Sequence, residues 1–215
     1  MAAGRRIPEA TVSRLPLYLR VLNEANGSMP TISSEVLALR AGVNAAQVRK
    51  DLSYLGSYGT RGVGYEVGYL VRQINRRLGL EGERHVVIVG AGNLGQALAS
   101  YGGFPGRGFQ VVAAFDADPA KFGRVVGPTR VEPVSSLAEV LRQRTADIAV
   151  ITTPAPAAQA VADVLVEAGI RSILNFAPTT VVVPDHVALR QVDLGIELQI
   201  LSFYQQSLAT PVAGF

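Results

Sequence analysis

Residues 85–101, HVVIVGAGNLGQALASY, constrain the fold more than any other stretch, because a run of β-branched residues passes through closely spaced glycines into a helical pattern. A short apolar run ending in a glycine turn reads as a strand buried on both faces, the kind a parallel sheet requires. Gly90, Gly92 and Gly95 match GxGxxG, a weak signal by itself. Its setting strengthens it. A second apolar run, QVVAAF, ends at Asp116, about 20 residues beyond the glycines, as in dinucleotide-binding units.

Each position then has a physical task. Gly90 permits the turn, Gly92 lets the backbone approach a pyrophosphate, and Gly95 lets helix and strand close up. The N–H groups at the start of the helix, with Ala91, Asn93 and Leu94 in the same loop, would face the anion. Asp116 can accept from ribose hydroxyls, with Lys121 following in FDADPAKFG; the bland alternative for Asp116 is a cap or turn residue. A carboxylate there repels the extra phosphate of NADP, so NAD(H) is the expected ligand. Two further strands, DIAVIT and SILNF, end in Thr152, Thr153 and Pro154 and in Asn175, Phe176 and Ala177. Strand ends on this side line the crevice of a doubly wound sheet, which puts these six residues near the nicotinamide half unless they are plain connectors.

The pattern changes character near residues 78–85. Before that boundary the periodicity is helical, and the charge is uneven: residues 1–80 carry 11 Lys/Arg against 5 Asp/Glu, the rest 9 against 12. A basic module joined to a mildly acidic one suits polyanion binding by the first, although such an excess also occurs on ordinary surfaces. Val12, Leu15, Leu19 and Leu22 recur at helical spacing, interrupted by Pro16. A second helix is expected from Ser33 as N-cap to about Ala41, then a turn at Gly42. A third opens at Asn44, which has capping-box spacing to Gln47 and buries Val48, Leu52 and Leu55. That leaves Gln47, Arg49, Lys50, Ser53 and Tyr54 outward, the polar and basic face of a helix-turn-helix recognition helix, or else a solvated face.

SYGTRGVGY follows directly and reads as a β-hairpin wing, with Tyr58, Thr60, Arg61 and Gly62 at its tip and Arg61 suited to a minor groove. A last amphipathic helix, with Val67, Leu70, Ile74 and Leu78 inward, ends at Gly79. The expected domains are a winged helix over 1–80, a Rossmann-type doubly wound parallel sheet over 81–194, and a C-terminal helix and tail over 195–215. The fold class is α/β.

Zero cysteines exclude disulfides and thiolate metal ligands, and two isolated histidines argue against a metal site. No apolar run is long and clean enough for a membrane span or export signal, so a cytoplasmic protein is expected. His85 falls before the first strand, on the wrong side for chemistry, and His186 lies in a late loop with no orienting partner. Once the nucleotide fold is assigned, about 20 residues remain, fewer than a substrate domain needs. The cofactor therefore reads as a ligand, not a reagent. Those last residues carry Ile196, Leu198, Ile200, Leu201, Phe203 and Tyr204 around much of a helix. Such a helix must be buried in a partner subunit, by domain swapping, or on its own chain.

QVRKDLSYLGSYGTRGVGY, VGAGNLG, FDADPAKFG and ILNFAP together resemble the bacterial redox-sensing repressor family Rex across essentially the whole chain. The resemblance implies a homodimer with swapped C-terminal helices, bound to palindromic operator DNA and released when NADH displaces NAD⁺. It also suggests a polar relay of Arg14, Tyr101 and Asp193 coupling the cofactor to the DNA-binding domain. Two alternatives stay open at this stage: a small NAD-dependent oxidoreductase with a DNA-binding appendage, and a regulator binding coenzyme A.

Overall fold

The computed structural model describes residues 7–56, 59–60 and 62–209. The chain divides into two compact units, residues 1–82 and 83–215.

In the first unit, α1 (Glu9–Ala25), α2 (Ser34–Ala41), α3 (Ala45–Ser53) and α4 (Val67–Leu78) surround one core. Leu15, Tyr18 and Leu22 of α1 meet Leu37 of α2, Val48 and Leu52 of α3, and Leu70 and Ile74 of α4, all almost fully buried. The buried residues of α1 are Thr11, Leu15, Tyr18, Val21, Leu22 and Ala25, so Leu15 and Leu22 are buried as expected while Thr11 and Tyr18 take the places expected of Val12 and Leu19. Val12 is therefore exposed and Leu19 only half-buried, and Pro16 lies within the helix on the same exposed side as Val12. The Ser33 hydroxyl accepts from the Val36 N–H at the start of α2, and Gly42 closes the helix in the left-handed region.

The expected hairpin falls partly outside the described residues. Among the described residues its two arms meet at a Thr60–Gly64 bridge, and the strand proper, β2 (Tyr65–Glu66), pairs antiparallel with β1 (Thr31–Ile32), which lies ahead of α2 and which periodicity did not reveal. Gly64, at φ +97°, crosses so close to β1 that a side chain would strike the Ile32 carbonyl. Glycine is required there by both torsion and space.

The second unit is a seven-stranded sheet flanked by helices. Its strands are β3 (Arg84–Val89), β4 (Phe109–Asp116), β5 (Val125–Val126), β6 (Thr129–Pro133), β7 (Ile148–Ile151), β8 (Ser172–Asn175) and β9 (Ala188–Gln191), in spatial order 5-6-4-3-7-8-9. Six run parallel, and β5 alone is antiparallel, at one edge. Without β5 the order is that of a Rossmann sheet, reversing between β3 and β7. Val86 and Ile88 pack on one face with Ala99 of α5 (Asn93–Ala99). Val87 and Val89 pack on the other with Leu137 and Val140 of α6 (Leu137–Gln143) and Ala158, Ala162 and Leu165 of α7 (Ala155–Glu167). Burial on both faces explains why β3 reads as an unbroken apolar run. His85 lies inside β3, at its second position, and Tyr101 lies just beyond the end of α5.

The last element, α8 (Leu194–Ala209), follows β9. Every side chain from Leu194 to Gln206 is exposed, including Leu198 at 67% and Phe203 at 65%. Folding back onto its own chain, one of the two expected covers, is not what the structure shows. No described helix is long and apolar enough to cross a membrane, and no described group of three His, Cys, Asp or Glu could hold a metal ion.

Candidate functional site

In the first unit, α3 begins where Asn44 Oδ1 accepts from the Gln47 N–H at 2.8 Å. Only half of the expected capping box forms. The Gln47 side chain does not return to Asn44; its Nε2 donates forward to Asp51 Oδ1 at 2.9 Å. Arg49 and Lys50 are exposed, and Arg49 Nη1 donates to Ser34 Oγ at 2.8 Å and to Glu35 Oε1 at 3.1 Å, tying α3 to the first turn of α2. Ser53 Oγ donates back to the Lys50 carbonyl, and Tyr54, half-buried, caps the helix end. Thr60 and Gly62 are exposed on the wing loop. Tyr58 and Arg61 lie outside the described residues.

Asp51, which sequence reasoning passed over, organises this surface. Its carboxylate is fully buried and accepts five hydrogen bonds: from Thr11 Oγ1, Arg14 Nη2 and Gln47 Nε2 on Oδ1, and from Arg14 Nε and Tyr18 Oη on Oδ2, all at 2.7–2.9 Å. Burial alone would raise its pKa, but the Arg14 guanidinium and the Tyr18, Thr11 and Gln47 donors reverse this, and the group lies below its ordinary value. Tyr18 is pushed well up by burial and by the neighbouring carboxylate. No local pattern announced the cluster, since three of its partners lie on α1.

In the second unit the glycine loop joins β3 to α5 against β7. Gly90 sits at φ +108°, with the Thr152 carbonyl 2.7 Å from where a Cβ would be, and a Cβ at Gly95 would strike the Gly90 carbonyl. The space over Gly92 is open. The N–H groups of Asn93, Leu94 and Gly95, at the start of α5, have no carbonyl ahead of them within the helix. Asp116, at the tip of β4, braces the loop. Its Oδ2 accepts from the Ala91 N–H at 2.7 Å and from Lys121 Nζ at 2.9 Å, and Oδ1 accepts from the Asp118 N–H at 2.8 Å. Oδ1 thus accepts one hydrogen bond where Oδ2 accepts two, and it retains a lone pair for a ligand donor. Burial works to raise the Asp116 pKa, but Lys121 and the two backbone donors bring it below the usual value. Gln96, absent from the sequence reading, donates to the Ala91 carbonyl at 2.9 Å.

The remaining strand ends divide by role. Thr152 Oγ1 donates to the Gly90 carbonyl at 2.7 Å, locking β7 to the loop. Asn175 is fully buried, donating to the Thr179 carbonyl and Gln191 Oε1 and accepting from the Ala177 N–H, so its amide shapes the 175–179 turn. Phe176 is half-buried and Ala177 buried, while Pro154 opens α7. Thr153 differs: its Oγ1 is buried with no hydrogen-bond partner. A buried hydroxyl at the mouth of a crevice that nothing in the protein satisfies suits a polar ligand group. The open face over Gly92, the unpaired N–H groups, the spare Asp116 lone pair and the Thr153 hydroxyl all fit a dinucleotide.

The three relay candidates make contacts within their own units. Arg14 is held by Asp51. Tyr101 is half exposed and stacks edge-to-face on Phe104, centroids 5.1 Å apart. Asp193 Oδ1 accepts from the Gly195 N–H at 2.8 Å, capping α8.

Comparison with known proteins agrees with both halves. A family model described as a putative DNA-binding protein N-terminus matches residues 6–53, and one described as a CoA binding domain matches 81–179. The chain is 60% identical to the redox-sensing transcriptional repressor Rex of Streptomyces avermitilis, over 96% of this chain and 82% of that one. It is 49% identical to the Rex repressor of Carboxydothermus hydrogenoformans, over 93% and 97%. Among solved structures, RSP in complex with β-NAD⁺ and operator DNA aligns with TM-score 0.88 at 37% identity, covering 94% of both chains. RSP with β-NADH aligns at 0.84 and 35%, covering 94% of this chain and 96% of that one. The chain belongs to the Rex family of redox-sensing transcriptional repressors.

Proposed function

We infer that the chain is a transcriptional repressor that holds operator DNA through its N-terminal unit and leaves it when NADH occupies the glycine-loop crevice. The observation that carries this is the union, in one chain, of a helix-turn-helix with a complete dinucleotide crevice, as in a relative solved with NAD⁺ and operator DNA. The cofactor is a regulatory ligand, and the protein is not an enzyme.

When bound, the nicotinamide supplies a ring that loses its positive charge on reduction. The chain's own groups do the holding. The N–H groups of Asn93, Leu94 and Gly95 meet the pyrophosphate over Gly92, with Gly90 and Ala91 shaping the turn. Asp116, steadied by Lys121, offers its remaining lone pair to a ribose hydroxyl and disfavours a phosphate there. Thr153 and the N-terminus of α7 after Pro154 face the nicotinamide half, and Thr152, Asn175, Phe176 and Ala177 frame it. On the DNA side, Gln47, Arg49, Lys50, Ser53 and Tyr54 form the groove face, with Tyr58, Thr60, Arg61 and Gly62 as the wing. Arg14, Tyr101 and Asp193 form the relay, and an Arg14→Ala chain whose operator affinity is the same with and without NADH as the parent's would remove Arg14 from it.

Fluorescence anisotropy on operator DNA, at one stated salt concentration, with no ligand, NAD⁺, NADH or coenzyme A, tests the reading. Release by NADH alone supports it; release by coenzyme A instead assigns the crevice to that ligand. Lys50→Ala is expected to weaken binding to all duplexes alike and to lower the salt slope by about 1, the signature of a lost phosphate contact.

The exposed apolar α8 supports a homodimer in which each α8 packs into the other subunit. Two copies would then place two recognition helices on a palindrome. The pair Leu198→Glu and Leu201→Glu is expected to give a monomer by sedimentation, with operator affinity down by at least about tenfold as one half-site is lost. A dimer surviving both changes would assign the contact elsewhere.

A further inference from the structure

We propose that Asp51 is a positioning residue for base reading: it fixes the Gln47 amide with nitrogen inward and oxygen outward, so that Gln47 reads an adenine in the operator. The proposal rests on the DNA-binding reading above and extends it to one side chain and one base. An ionised carboxylate only accepts hydrogen bonds. Asp51 is kept ionised by Arg14, and its Oδ1 lies 2.9 Å from Gln47 Nε2. Turning the amide over would set two oxygens against each other with no proton between them. The orientation is therefore dictated by chemistry.

Gln47 is also held at its backbone, where its N–H is capped by Asn44 Oδ1. It stands in the first turn of α3, the part of a recognition helix that meets base edges. What remains to face outward is Oε1 as acceptor and the second Nε2 hydrogen as donor. That pair complements the N6 donor and N7 acceptor of adenine in the major groove. Of the neighbouring groups, Arg49 is drawn to Ser34 and Glu35 and Ser53 to its own helix, whereas the half-buried Gln47 side chain makes its one described hydrogen bond to Asp51.

The full-length chain is first used to select duplexes from a pool with randomised, twofold-symmetric half-sites. Anisotropy then measures the selected duplex and its single A·T to G·C replacements. The parent is expected to lose about 5- to 150-fold for one such replacement in a single half-site. Gln47→Ala should bind the selected duplex more weakly by that factor at each half-site and be indifferent to the base at that position. Asp51→Asn should lose the same discrimination, since an amide can face Gln47 either way round. Gln47→Asn, one methylene shorter and harmless to the core, should lose it too, and decides the matter if Asp51→Asn fails to fold. Tyr18→Phe and Thr11→Val, which remove other donors to Asp51, should lower stability and keep the base preference. A base preference intact in Gln47→Ala, or an Asp51→Asn chain weakened equally on every duplex with the preference unchanged, overturns the proposal. If Lys50→Ala still weakens all duplexes in those cases, the DNA-binding reading survives it; failure of the parent to select any duplex sinks that reading itself.

Discussion

Asp51→Ala is expected to cost the N-terminal unit roughly 3 kcal/mol, at the low end for breaking a buried ion pair. The substitution leaves a guanidinium, a phenol, a threonine hydroxyl and a glutamine amide facing the place where one carboxylate satisfied them all. Arg14 is partly exposed, with 23% of its side chain in solvent, and can recover some hydration, which keeps the figure from being larger. Tyr18 and Thr11 are buried and cannot. Because two units unfold in one chain, the readout is amide hydrogen exchange along α1 and α3, with α5 as the internal reference. Exchange there should quicken by about 150-fold while α5 is unchanged; equal protection in variant and parent would show that the cluster contributes nothing. A pH dependence follows with a fixed sign. The folded pKa of Asp51 lies below its unfolded value, so the contribution is complete above about pH 4 and is lost as the pH falls through the unfolded value and then the folded one. Protection of α1 and α3 should therefore decline on acidification in the parent and decline less in Asp51→Ala.

The features that local pattern could reveal are those whose causes are local. The Gly90 torsion and the approach of Gly95 to the Gly90 carbonyl fall within six residues, and the burial of β3 on both faces shows as an apolar run. The caps at Ser33 and Asn44 are three-residue events. Other features depend on distant partners and carry no such mark. β1 is two residues long and is a strand only because residues 65–66 lie beside it. β6 and β9 were missed because they bury little: Val131 is the one buried residue of β6, and β9, at the sheet edge, has none. Asp51 reads in the sequence as one acid on a basic helix, yet its partners on α1 are 33–40 residues away. At Asp116 the residue was legible and its use only partly so. Spacing marked a ribose acceptor, while the carboxylate also closes the loop through Ala91 and Lys121. α8 shows the opposite limit: its apolar circumference is plain in sequence, but no described residue of this chain covers the side chains of Leu194 to Gln206.

Gly95→Ala is expected to uncouple the two halves of the protein's behaviour, leaving operator binding and abolishing release by NADH. The added Cβ would strike the Gly90 carbonyl and stand 2.9 Å from Thr152 Oγ1. Neither neighbour can give way easily. The Gly90 carbonyl is fixed by the Thr152 hydroxyl at 2.7 Å, and the Gly90 N–H is bonded to the Phe115 carbonyl at 2.7 Å. Relief must then come from moving the start of α5 away from β3, with a strain of about 1–3 kcal/mol of the kind that overpacking brings. That shift also draws the N–H groups of Asn93 and Leu94 off the line on which they meet a pyrophosphate, so strain and lost contacts add. NADH affinity should fall by 100-fold or more, which is about 2.7 kcal/mol. The clash lies wholly within the second unit, whereas the groove face is built on α3 of the first, so the variant should bind operator as tightly as the parent. It would then repress whatever the redox state. Titrating NADH against the operator complex of each chain decides the matter. Release of the variant at the parent's NADH concentration would show that α5 tolerates the methyl group and that the close packing at Gly95 is not what positions the cofactor.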